Sequence, residues 1–277
     1  MTSTVPPGTV PAADPPGTGA GEYTVALGRL DLWLVRRPEE RAAELDRSEL
    51  DGAERHRAAS FIRPADGLLY AAAHIALRRL LGRYTGTAPQ DLTFVREPCP
   101  GCGGAHGRPA LAAAPLHFSL SHSGGVALVG VAAVPLGVDV ERLPRPESVE
   151  VCTAALHPDE QAELRAVGEA HRSPLFGRIW TRKEAFLKGI GTGLSRSPAE
   201  DYLGADTTRH PSGWTVLDIA CDDTHAAAVA VCGAAPRTVN VRWLAQDWLG
   251  PGGGTGTAAA PRPARATDVP TPAATAG

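Results

Sequence analysis

No apolar run in the 277 residues approaches the ~18 needed for a helical membrane span. The opening residues show neither a charged stretch ahead of an apolar one nor an arginine-bearing transit segment, so the expectation is a soluble, cytoplasmic protein. Neither sign of charge dominates: 27 Lys and Arg against 30 Asp and Glu leave a net charge of −3. Bulk electrostatics therefore gives no case for nucleic acid or an anionic membrane as partner. Cysteine is scarce and odd in number, at five, which without an export signal reads as reduced thiols. The Gly-x-Ser-x-Gly elbow of serine hydrolases is missing as well. Glycine (31) and proline (25) are plentiful but pile up at the ends. Residues 1–21 and 250–277 are Pro, Gly, Thr and Ala tracts that cannot offset their ordering entropy by burial, and both read as disordered tails.

Between the tails, two acidic stretches carry the chemistry. In Gly137-Val138-Asp139-Val140-Glu141, valines and carboxylates alternate, the period of a half-buried strand. Asp139 and Glu141 then share one face at roughly 6.6 Å of axial separation. In Trp180-Thr181-Arg182-Lys183-Glu184-Ala185-Phe186-Leu187-Lys188 the spacing predicts a helix, with Ile179, Phe186 and Ile190 along its packing stripe. Glu184 and Lys188, four residues apart, lie side by side on a neighbouring face. Carboxylate oxygens with no Cys or His among them are hard ligands suited to Mg²⁺, which usually completes its shell with water and substrate phosphates. A phosphorylated substrate is the first expectation, and a lysine one turn beyond the third acid could hold a phosphate oxygen. Taken singly, each motif is equally a strand-edge acid pair or an ordinary helical Glu-Lys pair.

A third segment, Phe118-Ser119-Leu120-Ser121-His122-Ser123-Gly124-Gly125, starts as an alternating strand and breaks into a turn. There hydroxyls, an imidazole and permissive glycine backbone can face a phosphate. Adjacent Ser and His side chains on a strand diverge to opposite faces, which argues against a hydrolase pair. Cys99-Pro100-Gly101-Cys102 with His106 looks like part of a zinc knuckle, but no fourth ligand follows at short spacing, His117 being the nearest candidate. A turn-forming loop presenting Gly107-Arg108-Pro109 is the simpler reading.

In this order, Gly107-Arg108-Pro109, Phe118 to Gly124, Gly137 to Glu141, and Trp180 to Lys188 followed by Gly191-Thr192-Gly193-Leu194 closely resemble the 4′-phosphopantetheinyl transferases of the surfactin-synthetase-activating (Sfp) type. The resemblance runs from about Tyr23 to about Leu249. It implies an enzyme that transfers the phosphopantetheine arm of coenzyme A to a serine of an apo acyl or peptidyl carrier protein, with Mg²⁺ (or Mn²⁺) as cofactor, releasing adenosine 3′,5′-bisphosphate. The implied metal acids are Asp139, Glu141 and Glu184, and Glu184 and Lys188 are the implied catalytic pair. Lys188 is also the implied phosphate-binding lysine; Ser121, His122 and Arg108 are implied coenzyme contacts. Upstream, Arg57 resembles a contact to the coenzyme's 3′-phosphate and Tyr70 a contacting hydroxyl. Ser60 and Leu69 stand where the family pattern suggests arginine, and Glu54 where it suggests a basic residue. Two readings compete: a coenzyme A-binding homologue that does not turn over, and an unrelated Mg²⁺-dependent phosphohydrolase.

The pattern predicts strands over Tyr23–Arg36 and Leu92–Arg96, a helical zone over 41–61 and a helix over Ala65–Arg83. Strands follow around Phe118, over Val126–Val134 and over Val138–Glu141. Next come a helix opened by Pro158-Asp159-Glu160, the Trp180–Ile190 helix, and strands near 214–221, 226–231 and 239–244. An offset of 110 sets Pro64 on Pro174, Tyr70 on Trp180, His74 on Glu184 and Arg78 on Lys188, a weak internal repeat. It agrees with the α+β fold that the resemblance implies, two similar α/β subdomains related by a pseudo-twofold axis. Their expected extents are 22–112, and 113–249 with the metal site, in a monomer. Lys183 reads as a structural cation and Trp180 as a packing anchor.

Overall fold

Leu30, Leu32 and Leu34 alternate with Asp31, Trp33 and Val35, and the structure uses both faces of that strand. The leucines enter one apolar cluster and Trp33 and Val35 another. This computed structural model describes residues 9–10, 22–39, 45–112 and 114–253. In chain order the elements are β1 (Thr9–Val10), β2 (Arg29–Arg36), α1 (Gly52–Ala59), α2 (Pro64–Thr85), β3 (Phe94–Arg96), β4 (Pro109–Leu111) and β5 (His117–Ser123). Then come β6 (Val126–Ala132), β7 (Leu136–Arg142), α3 (Pro146–Cys152), α4 (Pro158–Ala166), α5 (Glu169–Ile190), β8 (Trp214–Ile219), β9 (His225–Cys232) and β10 (Thr238–Trp243).

The strands form two four-stranded sheets, ordered β10-β2-β6-β5 and β1-β8-β9-β7, and the small β3-β4 hairpin. Between the sheets lies one shared apolar layer, to which β2 contributes Leu30, Leu32 and Leu34 and β7 contributes Leu136, Val138 and Val140. Each fully buried leucine is worth about 2 kcal/mol over an exposed one. On its outer face the first sheet packs on α2, and the second on α5. The architecture is thus the α+β arrangement of two similar halves.

The repeat runs in a different register from the one the sequence suggested. α2 and α5 are both 22-residue helices closed by a left-handed glycine, Gly86 and Gly191, which are 105 positions apart rather than 110. The helix before each opens with a capping box, Asp51 with Glu54 and His157 with Glu160, 106 apart. Arg78 therefore matches Lys183, not Lys188, and each is a fully buried cation paired with its own capping-box glutamate, Arg78–Glu54 at 2.7 Å and Lys183–Glu160 at 2.7 Å. Pro64 misled the alignment: it is the first residue of α2, whereas Pro174 lies inside α5, which begins at Glu169, well before Trp180.

The sheets change over at residues 133–135, not at 112, because β5 and β6 hydrogen-bond into the first sheet. That sheet also recruits β10, parallel to β2, from the far end of the chain. Within the stretch read as an N-terminal tail, Thr9–Val10 pair in parallel with β8; residues 1–8, 11–21 and 254–277 lie outside the described residues. The helical zone resolves into a short 3₁₀ turn at Arg47–Glu49 and α1, with 40–44 outside the described residues.

Candidate active site

A rail of serines joins the two sheets. β5 alternates Ser119, Ser121 and Ser123 on one face, and each reaches β7, with which β5 shares no backbone ladder. Ser119 Oγ accepts from Val138 N at 3.0 Å, Ser121 Oγ donates to Asp139 Oδ1 at 2.7 Å, and Ser123 Oγ accepts from Arg142 N at 3.3 Å. The β5-β6 turn that ends the rail is Gly124-Gly125, both at positive φ (58° and 108°), as a tight hairpin requires.

Helix α5 comes against β7 only because two glycines meet. A Cβ on Gly137 would stand 2.1 Å from Ala185 O and 2.3 Å from Gly189 N, so any side chain there would push the helix away. With contact made, Lys188 Nζ reaches Asp139 Oδ1 at 2.6 Å and Ser121 Oγ at 3.0 Å. Asp139 is 1% exposed, yet its Oδ2 is buried with no hydrogen-bond partner. An orphan carboxylate oxygen at that depth is costly unless something else binds it.

Glu141 and Glu184, both half-buried, feel the same pocket of negative charge. Burial pushes the Glu141 carboxyl up and Asp139 and Glu184 push it further, against a hydrogen bond from Ser123 and the charge of Lys188. Burial likewise raises Glu184, with Asp139 adding and Lys188 opposing. The three acids are neighbours in charge but not drawn into one tight cluster. Among the described residues, Cys99, Cys102 and His106 form the one group of three or more His, Cys, Asp and Glu whose ligand atoms all lie within 4.8 Å of each other. Like charges with Lys188 beside Asp139 have reason to stand apart.

The donor set nonetheless suits Mg²⁺: oxygens only, one of them an orphan, with a lysine at the edge. A cleft of about 830 Å³ opens beside it, walled by both halves. Arg57, Tyr70, His74, Arg108, Ser121, His122, Glu141 and Lys188 line it; Asp139 and Glu184 are not among the lining residues. Tyr70 stacks on His74 (centroids 4.1 Å apart) and meets His122 edge-on at 5.8 Å. Burial, then His74 and Lys188, push the His122 imidazole below its ordinary value and keep it neutral. Arg57 is exposed, its guanidinium over the Phe61 ring at 4.8 Å. Arg108 lines the cleft while holding Glu97 Oε2 at 2.6 Å through Nη2 and Gly189 O at 3.0 Å through Nη1.

Sequence reasoning missed Ser119, Ser123 and His74; the alternating serines were legible, but their role depends on β7 lying alongside. Glu54, read as a departure from a basic position, is 7% exposed and bonds His74 Nδ1 at 3.0 Å and Arg78 Nε at 2.7 Å. Lys183 is structural as expected: besides Glu160 it donates to Pro198 O at 2.7 Å and Asp201 O at 2.6 Å. Trp180 stacks on Phe176 with centroids 5.9 Å apart.

Residues 135–241, which run from the start of β7 into β10, match the family model described as the 4′-phosphopantetheinyl transferase superfamily. The 4′-phosphopantetheinyl transferase HetI of Nostoc sp. is 31% identical over 224 residues, covering 76% of this chain and 90% of that protein. The chain belongs to the 4′-phosphopantetheinyl transferase family. It is accordingly an enzyme, a transferase. Shorter matches reach AcpT of Escherichia coli K12, 33% identical over 51% of this chain and 71% of that protein. Sfp of Bacillus subtilis 168 is 27% identical over 44% of this chain and 51% of its own length. No helix among the described residues is long and apolar enough to cross a membrane.

Proposed function

We propose that this transferase moves the 4′-phosphopantetheine arm of coenzyme A to a serine hydroxyl of an apo acyl or peptidyl carrier protein, with adenosine 3′,5′-bisphosphate as the other product. The single observation that carries the reading is the buried Asp139, with Oδ1 held by Ser121 and Lys188 and Oδ2 left without a partner, beside a cleft shared by both halves. Asp139, Glu141 and Glu184 would hold Mg²⁺ (or Mn²⁺). When bound, that ion supplies neutralisation of the coenzyme's pyrophosphate charge, which otherwise repels an incoming nucleophile.

The chain's own groups do the rest by position and charge, since the nucleophile arrives with the partner. Lys188 holds a pyrophosphate oxygen; its side chain is 31% exposed and can turn from Asp139 toward the cleft. Ser121 fixes the carboxylate, and neutral His122 donates one ring N–H to a phosphate while Tyr70 packs against it. Arg57 takes the 3′-phosphate and Arg108 the opposite wall. Glu184 is assigned the proton of the serine hydroxyl, or the orienting of the water that takes it. The proposal puts the enzyme in the cytoplasm as a monomer, its halves dividing the work: the first grips the nucleotide, the second performs transfer.

Incubation with coenzyme A, Mg²⁺ and several apo carrier proteins tests it by intact-protein mass spectrometry. One added phosphopantetheine on a carrier serine, abolished by chelator and restored by Mg²⁺, is expected. Release of phosphate or adenylate from coenzyme A with no mass gain on any carrier would favour the phosphohydrolase, and binding without turnover the non-catalytic homologue.

A further inference from the structure

The excursion between β3 and β4, residues 97–108, gathers three side chains that the transfer chemistry does not use. Cys99 Sγ, Cys102 Sγ and a ring nitrogen of His106 lie within 4.8 Å of one another, with Cys102 Sγ 2.9 Å from His106 Nε2. Ligands around one tetrahedral zinc stand about 3.5 Å apart, so little movement would bring these three onto one ion.

The backbone is shaped around the first sulfur. The backbone N–H groups of Cys102 and Gly101 turn toward the Cys99 sulfur. Gly103 takes a left-handed conformation (φ 72°), which lets its N–H close on Cys99 O at 2.7 Å while Cys99 N bonds Gly104 O at 2.8 Å. Donors aimed at a sulfur favour its thiolate, the form that binds metals. Cys99 is 2% exposed, whereas Cys102 and His106 face solvent and give an ion a way in.

We propose that Cys99, Cys102 and His106 bind a Zn²⁺ ion, with water in the fourth position. Two thiolates and an imidazole are the soft and borderline ligands that select zinc over magnesium. Binding displaces two thiol protons and changes no oxidation state. No further Cys, His or carboxylate among the described residues joins the three, His117 included. The ion clips a loop whose base is closed by Glu97 N to Arg108 O at 2.9 Å and Gly107 N to Glu97 O at 3.0 Å. Arg108 and Pro100 of that loop rest on Gly191, the glycine that ends α5. Zinc thus braces the wall that presents Arg108 to the cleft, and the site stands whether or not the transfer reading holds.

The test titrates Zn²⁺ into the full, reduced, metal-stripped chain against a chromophoric chelator, with Co²⁺ as a spectroscopic substitute. Expected are one tightly held equivalent, a sulfur-to-cobalt charge-transfer band, and slower hydrogen exchange over 97–108 on zinc addition. Cys102→Ser and the exposed His106→Ala should each weaken binding by about 100-fold or more, beyond the loss of an outer-shell partner; Cys152→Ser and His117→Ala should leave it unchanged. Two results would overturn the proposal: the native chain holding no more zinc than the Cys99→Ser/Cys102→Ser variant, or a Cys99–Cys102 disulfide in the isolated protein whose reduction restores no metal binding.

Discussion

At matched positions on the two sheets, β2 carries Trp33 and Val35 toward α2, sealed in apolar core, while β7 carries Asp139 and Glu141 on the face toward α5. The inner faces are the same, Leu30, Leu32 and Leu34 against Leu136, Val138 and Val140. The helices show the same division. Arg79, which the 105-residue register sets against Glu184, bonds Glu49 at 2.8 Å and the Gly250 carbonyl at 3.0 Å, tying down the chain's last described turn. Among the described residues Glu184 has no such partner, and burial raises its carboxyl. One half spends these positions on cohesion. The other sets two half-buried carboxyls beside Asp139, whose Oδ2 has no partner among the described residues and whose charge Lys188 alone offsets. That excess of negative charge is costly in a folded protein and persists where a ligand binds it.

Breaking that contrast has its largest effect in the cleft. Glu184→Gln and Asp139→Asn should each lower transfer by about a thousandfold or more, the scale of several kcal/mol of lost charge stabilisation. Meanwhile the thermal midpoint of the Glu184 variant should hold or rise. Rates within tenfold of native in both would remove the acids from the reaction. Asn is the choice at Asp139 because that side chain is buried and bonded to Ser121 and Lys188, not exposed as a simple surface acid.

The matched ion pairs offer the next test. Glu160→Gln leaves Lys183 without its carboxylate at a site where both groups are 2% exposed or less, and should cost about 3–5 kcal/mol in urea unfolding. Glu54→Gln should cost less, since Arg78 keeps Asp51 at 2.9 Å. Burial opposes ionisation of Glu54, but hydrogen bonds from His74 and Arg78 win and hold it at about 2. Its stabilisation is therefore present above 4.5 and lost as pH falls toward about 2, so native and variant curves should converge across that interval. Equal costs at Glu54 and Glu160, or curves that stay parallel, would contradict the pairing.

Smaller still is Gly137→Ala. Its methyl would collide with α5 backbone and should cost about 1–3 kcal/mol, with activity falling more than stability because Lys188 and Glu184 move with the helix. Smallest is Arg57→Ala, expected to raise KM for coenzyme A by about tenfold, one charged contact's worth, and to leave KM for dephospho-coenzyme A unchanged. Equal rises with both coenzymes would reject the 3′-phosphate contact.

Much of this was legible from residues. The period-2 alternation of Val138 and Val140 with Asp139 and Glu141 fixes a two-faced strand, and the Glu184 and Lys188 spacing fixes a shared helical side; both hold. What escaped depends on distant partners. The start of α5 was hidden because Pro174 and a polar first turn look like a boundary. The parallel pairing of β10 with β2 joins segments some 200 residues apart, beyond any local pattern. Glu54 looked like a missing cation because its role lies in Arg78 and His74, one helix away. The register of the repeat failed on a proline that matches in letter but not in place.

The account rests on Asp139, Glu141 and Glu184 sharing one divalent cation in the presence of coenzyme A. Mn²⁺, which favours the same oxygen ligands, reports that directly by its paramagnetic resonance. With coenzyme A present, the native protein should bind one Mn²⁺, and Asp139→Asn, Glu141→Gln and Glu184→Gln should each lose it. Undiminished Mn²⁺ binding by any of the three variants would take that acid out of the site, and by all three would end the proposal.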